Sequence, residues 1–291
     1  RRKTPVRPPL GPVRCRWGRR HVRVEASSPT EGLILVEVDF GKTAKDYGRH
    51  RAGFPESFCD HLMGVGAVSA GDRVLDVGTG AGTVARGLAR RGCIVTGLDL
   101  SDALLQQAQL LDSAAGVRID YVAAHAEGTG LKSGSFDVVT AGQCWHWFDR
   151  SSAAAEAHRL LGSGGRLVIA HFDWIPLPGN VVSATESLIV KYNRDWARFA
   201  NGTGLYPHWL GDLTATGFED LQTFSFDVIA SYSHESWRGR IRASAGIGAS
   251  LPPGAVANFD DELAELLHSR FPDEPLAVHH RVWSVIGRRP D

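Results

Sequence analysis

Cysteine is scarce and poorly spaced for chemistry: Cys15, Cys59, Cys93 and Cys144 stand far apart in a chain of 291 residues. No Cys-x-x-Cys pair occurs, which excludes a disulfide framework and the common zinc spacings, so no metal is expected and a reducing, cytoplasmic setting is. Long apolar runs are missing too. None approaches the ~20 residues that a membrane-spanning helix requires, and Leu33–Val36 is too short for the apolar centre of a signal peptide. Net charge is also absent, since 32 basic and 32 acidic residues cancel. The cancellation hides an asymmetry. Nine Lys/Arg and no acid fall within residues 1–24, leaving 23 basic against 32 acidic residues in the remainder. The body of the chain is therefore no general polyanion binder, and neither a membrane nor nucleic acid is its expected partner.

What is present is an ordinary globular composition, long enough for one domain with insertions. Residues 1–35, rich in Arg and Pro and without period, read as a disordered basic tail. An Arg-rich, acid-poor start also suits a targeting peptide or an RNA-binding arm. Beyond it, one stretch organises the chain: Arg73-Val-Leu-Asp76-Val-Gly78-Thr79-Gly80-Ala-Gly82-Thr83. A short apolar strand runs into a glycine-rich turn, and a helix pattern with Val84 and Leu88 follows, ended by Gly92. Strand, glycine turn and helix bring backbone close to a polar ligand and aim the free N–H groups of a helix start at it. The dinucleotide fingerprint Gly-x-Gly-x-x-Gly fits at Gly78 and Gly80 but meets Thr83 at its third place. Cys93 to Asp99 is a second strand ending in an acid, 19 residues after Gly80. A carboxylate there can accept two hydrogen bonds from a ribose, which marks a nucleoside without choosing between nicotinamide and other nucleoside cofactors.

Asp76-x-Gly78-x-Gly80-x-Gly82 resembles motif I of the class I S-adenosylmethionine (SAM) methyltransferases. Further segments are similar to type 11 members of the trans-aconitate methyltransferase-like group. They are Tyr47 to Pro55, where Arg51 is kept but Ala52 and Phe54 replace the usual proline and tyrosine; His125-Ala126-Glu127 with Phe136-Asp137 downstream; and Gln143-Cys-Trp-His146-Trp-Phe-Asp149. The resemblance implies a Rossmann-like α/β fold: a seven-stranded, mostly parallel sheet with an antiparallel last strand and helices on both faces. It places the methyltransferase domain at 36–291, with helical lid insertions near 180–217 and 231–273.

The same resemblance implies cofactor contacts from Asp76, Gly78, Thr79, Gly80 and Gly82 to the methionine part of SAM. Asp99 and Leu100 would face the ribose, Ala126 and Glu127 the adenine, Tyr47 and Arg51 would lie over the pocket, and Gln143 would touch the cofactor from the next strand end. Phe136 and Asp137 read as structural. His146, and after it His171 at the end of the following strand, are the candidates for a general base or for acceptor positioning. The Asp/Asn-Pro-Pro-Tyr/Phe motif of amino methyltransferases is absent, its place being taken by Ala141-Gly-Gln-Cys144. The expected activity is methyl transfer from SAM to a small-molecule acceptor, with oxygen of a carboxylate or hydroxyl favoured. An NAD-dependent oxidoreductase and a SAM-binding protein without transferase activity are the alternatives. Helices are expected over Val182–Ala200, His234–Leu251 and Ala255–Phe271, and strands over Val117–Ala123, Leu221–Ile229 and Val278–Val285.

Overall fold

The computed structural model describes residues 53–198 and 200–291, together with two short strands, β1 (His21–Val24) and β2 (Ile34–Glu37), paired antiparallel. Seven further strands form one sheet: β3 (Arg73–Val77), β4 (Ile94–Asp99), β5 (Asp120–Ala123), β6 (Phe136–Gly142), β7 (Leu161–Trp174), β8 (Glu219–Tyr232) and β9 (Leu276–Arg288). Their order is β5-β4-β3-β6-β7-β9-β8. The pairs from β5 through β7 are parallel, while β9 runs antiparallel to both β7 and β8. Six strands thus point one way and β9 is reversed, the sheet the motifs implied. The order turns around between β3 and β6, and the carboxyl ends at such a switch point form the crevice where open α/β sheets take ligands.

Alternation along the strands gives the sheet two apolar faces. Leu75, Val139, Leu167 and Ile169 pack on one side against α4 (Arg150–Leu160) and α6 (Trp209–Ala215). Val74, Val95, Val138 and Val168 pack on the other against α1 (Glu56–Gly64) and α2 (Thr83–Ala89). Helix α3 (Asp102–Ala115) lies against β4 and β5. Arg73 grips Asp137 with two side-chain hydrogen bonds, and Phe136 joins the core.

The strands β7, β8 and β9 outrun the rest. Their far ends carry a separate apolar core in which Trp237, Ile241, Phe259 and Leu263 meet Val182 and Ile189. These come from α5 (Val181–Tyr192), α7 (His234–Arg242) and α8 (Pro253–Arg270), which form a helical cap over the carboxyl ends of the strands. Of the segment 180–217, only the first part joins this cap. Trp209 and Leu213 of α6 are buried in the sheet's own core.

Two expected helices are shorter than their periodicity suggested. α5 stops at Tyr192 because Asn193 adopts an extended backbone and its amide donates to Gly246 O, and a 3-10 turn, Arg194–Arg198, follows. α7 stops at Arg242. The chain must then pass Gly246 so closely to Trp196 and Ile189 that a Cβ would sit 2.9 Å from the indole. Conversely, the outer strands are longer than expected, since pairing continues into the cap. Among the described residues no helix is long and apolar enough to cross a membrane.

Candidate cofactor and acceptor site

The glycine turn follows β3 at the switch point. Gly78, Gly80 and Gly82 all have left-handed backbone, with φ of 62°, 55° and 77°. Packing adds a second demand for glycine. A Cβ on Gly78 would lie 2.8 Å from Cys144 Sγ, and one on Gly82 would lie 2.7 Å from the Tyr121 hydroxyl. The turn is thus wedged between the β6 turn and an aromatic ring from β5. Tyr121 is fixed in turn: its hydroxyl donates to Asp112, Asp112 pairs with Arg86 at 2.9 Å, and Arg86 donates to Ala81 O.

Asp76 faces inward and is 1 % exposed. Its two carboxylate oxygens accept from the hydroxyls of Thr79 and Thr140, each at 2.7 Å. Burial, outweighing those hydrogen bonds, pushes its carboxyl up to about 6. Asp99 ends β4, half-buried. One oxygen accepts from Gly80 N–H and the other from Ser101 N–H, both at 2.9 Å, and burial raises it against these donors. One carboxylate therefore ties the glycine turn to the next strand, while the other braces it from beneath.

Across the switch point, β6 ends in Gly142 and the chain turns at Gln143, whose φ of +64° is rare outside glycine. Three contacts enforce it. Gln143 N–H donates to Ala170 O, its side-chain oxygen accepts from Phe172 N–H at 2.6 Å, and its side-chain nitrogen donates to Asp173 at 2.6 Å. Gln143 thus carries the β6–β7 ladder onward with its side chain. A 3-10 turn, Trp145–Trp147, then presents His146.

His146 Nδ1 lies 3.1 Å from Nε2 of His171, and His171 Nδ1 lies 3.2 Å from Asp173 Oδ2. Tyr206 donates its hydroxyl to the same Oδ2 at 2.6 Å. His171 is 3 % exposed. Its ring meets Tyr206 and, edge-on, Trp209, which themselves stack 4.3 Å apart. Burial alone would push Asp173 up, but His171, Tyr206 and Gln143 together hold it well below the usual carboxylate range. Burial and the Asp173 charge push the Tyr206 hydroxyl the other way.

With this geometry in view, the comparisons agree. Residues 75–169 match the family described as "Methyltransferase domain", type 11. The chain is 28 % identical over 178 residues to the ubiquinone biosynthesis O-methyltransferase of Xanthomonas oryzae, covering 60 % of this chain and 72 % of that one. The Pseudomonas aeruginosa protein of the same name is 38 % identical over 103 residues, 35 % of this chain and 44 % of that one. Among solved structures, the YcgJ protein of Bacillus subtilis superposes with a TM-score of 0.51 at 18 % identity, covering 80 % of this chain and 99 % of that one. A phosphoethanolamine N-methyltransferase of Haemonchus contortus, solved with S-adenosylhomocysteine, gives 0.53 at 18 %, covering 89 % and 62 %. These two likenesses speak for the fold alone. Residues 75–169 of the chain form a methyltransferase domain of type 11, of the class I SAM-dependent kind. It is an enzyme, and its cofactor is SAM.

In this methyltransferase the turn residues Gly78, Thr79, Gly80 and Gly82, with Asp99 and Leu100 one strand over, come together at the crevice. Ala126 is buried beside them, and Glu127 accepts from Asp149 N–H at 3.1 Å. Both oxygens of Asp76 accept from threonine hydroxyls, which places it beneath the turn. The Gln143 side chain bonds to Phe172 N–H and Asp173 on β7. Tyr47 and Arg51 lie outside the described residues. His171 sits within β7, three residues before its end.

Asp173 and Tyr206 of this methyltransferase escaped the sequence reading. Asp173 had a usable signal, because residues two apart on a strand share a face and it follows His171 by two. Tyr206 had none, since it arrives from a segment 33 residues further on.

Proposed function

We propose that this methyltransferase methylates the oxygen of a small acceptor bearing a neutral hydroxyl, phenolic or enolic, with His146 as the general base. The residues at the crevice fit the cofactor. The left-handed glycine turn lies at the strand ends where the amino-acid portion of SAM would be held. Asp99, a half-buried carboxylate at the β4 end, would offer its remaining lone pairs to ribose hydroxyls, and the Ala126–Glu127 segment would flank adenine. When bound, SAM supplies a methyl carbon made electrophilic by its sulfonium. What the chain contributes is placement, worth up to ~7–11 kcal/mol when reactants are held in line, and a proton acceptor.

The observation that carries this reading is the His146–His171 contact of 3.1 Å, backed by Asp173, at the carboxyl ends of β6 and β7. A carboxylate acceptor is already ionised near neutral pH and has no use for a base, whereas a hydroxyl must lose its proton as it attacks. A second carboxylate would also meet the buried charge of Asp173 in a poorly screened setting. The O-methyltransferase names of the bacterial relatives point the same way.

The test is a panel of catechol, benzoate and aniline, each incubated with SAM and followed by S-adenosylhomocysteine release. Catechol should be turned over in preference to the other two. His146→Ala should lower that turnover by about 10²–10⁴-fold, while calorimetric binding of S-adenosylhomocysteine stays the same. Preferred methylation of benzoate, or full catechol turnover in His146→Ala, would overturn the reading.

A further inference from the structure

Helix α5 turns an apolar face into the cap core, and one residue on that face breaks the pattern. Val182 and Ile189 pack there, and Glu186, four residues after the one and three before the other, is 4 % exposed. A carboxylate is costly to bury, and burial pushes this one up. Packing alone would be served by leucine. What the carboxylate has and leucine lacks is two accepting oxygens. Oε1 accepts from Trp174 Nε1–H at 2.8 Å, and Oε2 accepts from Asn201 N–H at 2.7 Å. We infer that Glu186 is a positioning residue for the acceptor side: it brackets Trp174 and Asn201, holds the strap 201–206 in place, and through that strap sets Tyr206 against Asp173. The inference rests on the placing of the acceptor beside His146 and His171.

The strap begins in an unfavourable conformation. Asn201 has a φ of +61°, which is uncommon outside glycine, and its bond to Glu186 offsets that cost. Further on, Gly204 passes so close to Ile175 that a Cβ would lie 3.0 Å from its Cδ1. Tyr206 then donates to Asp173 at 2.6 Å, its ring centred 4.4 Å from that of His171 and stacked on Trp209. A shift of the strap is therefore a shift of the wall against which His171 stands.

A second anchor is weaker. Arg281 donates to Thr203 O at 2.9 Å, but its side chain is 26 % exposed and its partner Asp227 is 51 % exposed, so water competes for these bonds. Water does not compete at Glu186, where a donor left unpaired loses its partner outright. Glutamine in place of Glu186 would offer one oxygen and one NH₂, and the NH₂ would face a donor. One of the two bonds must go. Trp174 is the better held, since its backbone pairs with His280 on β9, its indole meets Trp237 edge-on at 5.6 Å, and the Arg240 guanidinium stands 4.7 Å from its ring. Asn201 is exposed and left-handed, so its N–H is the one released.

Glu186→Gln in the full-length protein tests this by two routes. The first is amide hydrogen exchange with ¹⁵N-asparagine, with assignments from Asn193→Asp and Asn201→Gly. In wild type the Asn201 amide should exchange roughly 10²-fold more slowly than an open amide. In Glu186→Gln that protection should fall by at least ~10-fold, while the Asn193 amide, which closes α5 on Ile189 O at 2.7 Å, keeps its own. The second route is turnover. For catechol, kcat/KM should fall by about 10²-fold, the loss that a misplacement of ~1 Å brings, with S-adenosylhomocysteine affinity unchanged. Since Glu186 acts through Tyr206, adding Glu186→Gln to Tyr206→Phe should lower kcat/KM no further than Tyr206→Phe alone.

An Asn201 amide that exchanges in wild type at the rate of an open one would overturn the inference whether or not any variant folds. So would additive losses in the double variant, which a merely structural role of Glu186 would give. The two layers fail separately. If wild type does not turn over catechol, the proposed activity falls, while lost Asn201 protection in Glu186→Gln still upholds the bracket. If catechol is turned over and Glu186→Gln matches wild type in kcat/KM, only the role of Glu186 falls.

Discussion

Replacing Gly97 with alanine should disturb the glycine turn chiefly through Tyr121, with a lesser direct contact of 3.1 Å to Thr79 Cγ2. Gly97 lies in the middle of β4, with Tyr121 directly opposite on β5. An added Cβ would stand 2.4 Å from Tyr121 Cε1 and 2.7 Å from Cδ1. Carbon atoms are comfortable at ~3.5–4.0 Å, so about 1 Å must be found. The ring is held against retreat, because its hydroxyl is bound to Asp112, Asp112 to Arg86, and Arg86 to Ala81 O in the turn itself. The hydroxyl itself lies against Gly82. Overpacking of this kind costs ~1–3 kcal/mol, which for a domain of this size corresponds to a fall in Tm of roughly 3–10 °C.

Since the strain passes to Gly82, the affinity for S-adenosylhomocysteine should fall as well. The control is Tyr121→Ala, which removes the obstructing ring. In a double-mutant cycle followed by thermal unfolding and calorimetry, Gly97→Ala/Tyr121→Ala should be less damaging than the two single changes summed, by ~1–3 kcal/mol. Additivity within ~0.5 kcal/mol, or Gly97→Ala with wild-type stability and affinity, would refute the claim that the ring links strand to turn.

Two further outcomes concern buried charge. Asp76 titrates at about 6 in the fold against 3.8 ordinarily, so its protonated form is favoured: this contribution is present below pH ~4 and lost as pH rises through about 6. Asp76→Asn should therefore gain up to ~2–3 kcal/mol relative to wild type at pH 8 and nothing at pH 4, and urea unfolding at both pH values with equal differences would contradict this. Glu156 has the opposite sign, since hydrogen bonds from Arg159 and then Thr129 hold it down at about 2 against the opposing effect of burial, so its contribution is present above its ordinary 4.5 and lost as pH falls toward 2. Glu156→Gln should cost ~2–3 kcal/mol at neutral pH and little at pH 2–3, and a cost that persists in acid would show that packing rather than charge is responsible.

The glycine turn was legible because two separate demands converge on it. Left-handed backbone and crowding from Cys144 and Tyr121 each call for glycine, and both leave the same mark in the sequence. The position of Asp99 at the end of β4 was legible from its strand pattern, and the fold adds that it accepts from Gly80 N–H in the turn. The partners of Gln143 were not legible, because position at a strand end does not say where a long side chain goes. Only the fold reveals that Phe172 N–H and Asp173 are waiting across the ladder. Nor does the glycine motif say that alternation along β3 turns Asp76 inward, toward Thr140 on the neighbouring strand. Helix ends in the cap were lost where one residue serves a distant partner, as Asn193 serves Gly246.

The two halves of the crevice are held by different means. On the side of the glycine turn, the described groups that shape it come from β3 to β6 and the segments directly attached to them. On the acceptor side, the His171–Asp173 pair depends on Tyr206, and the segment carrying Tyr206 is pinned from the cap. Asn201 N–H donates to Glu186 of α5, Arg281 of β9 donates to Thr203 O, and Tyr206 itself closes on Asp173. Glu186 also accepts from Trp174 at the end of β7, so cap and acceptor side share one hydrogen-bonded frame. The cap has its own apolar core, separate from both faces of the sheet. Changes within that core can therefore re-aim Tyr206 and the acceptor side while leaving the glycine turn as it is. Such a division would let a shared cofactor scaffold serve different acceptors, and here it ties His171 and Asp173, through Tyr206, to the cap.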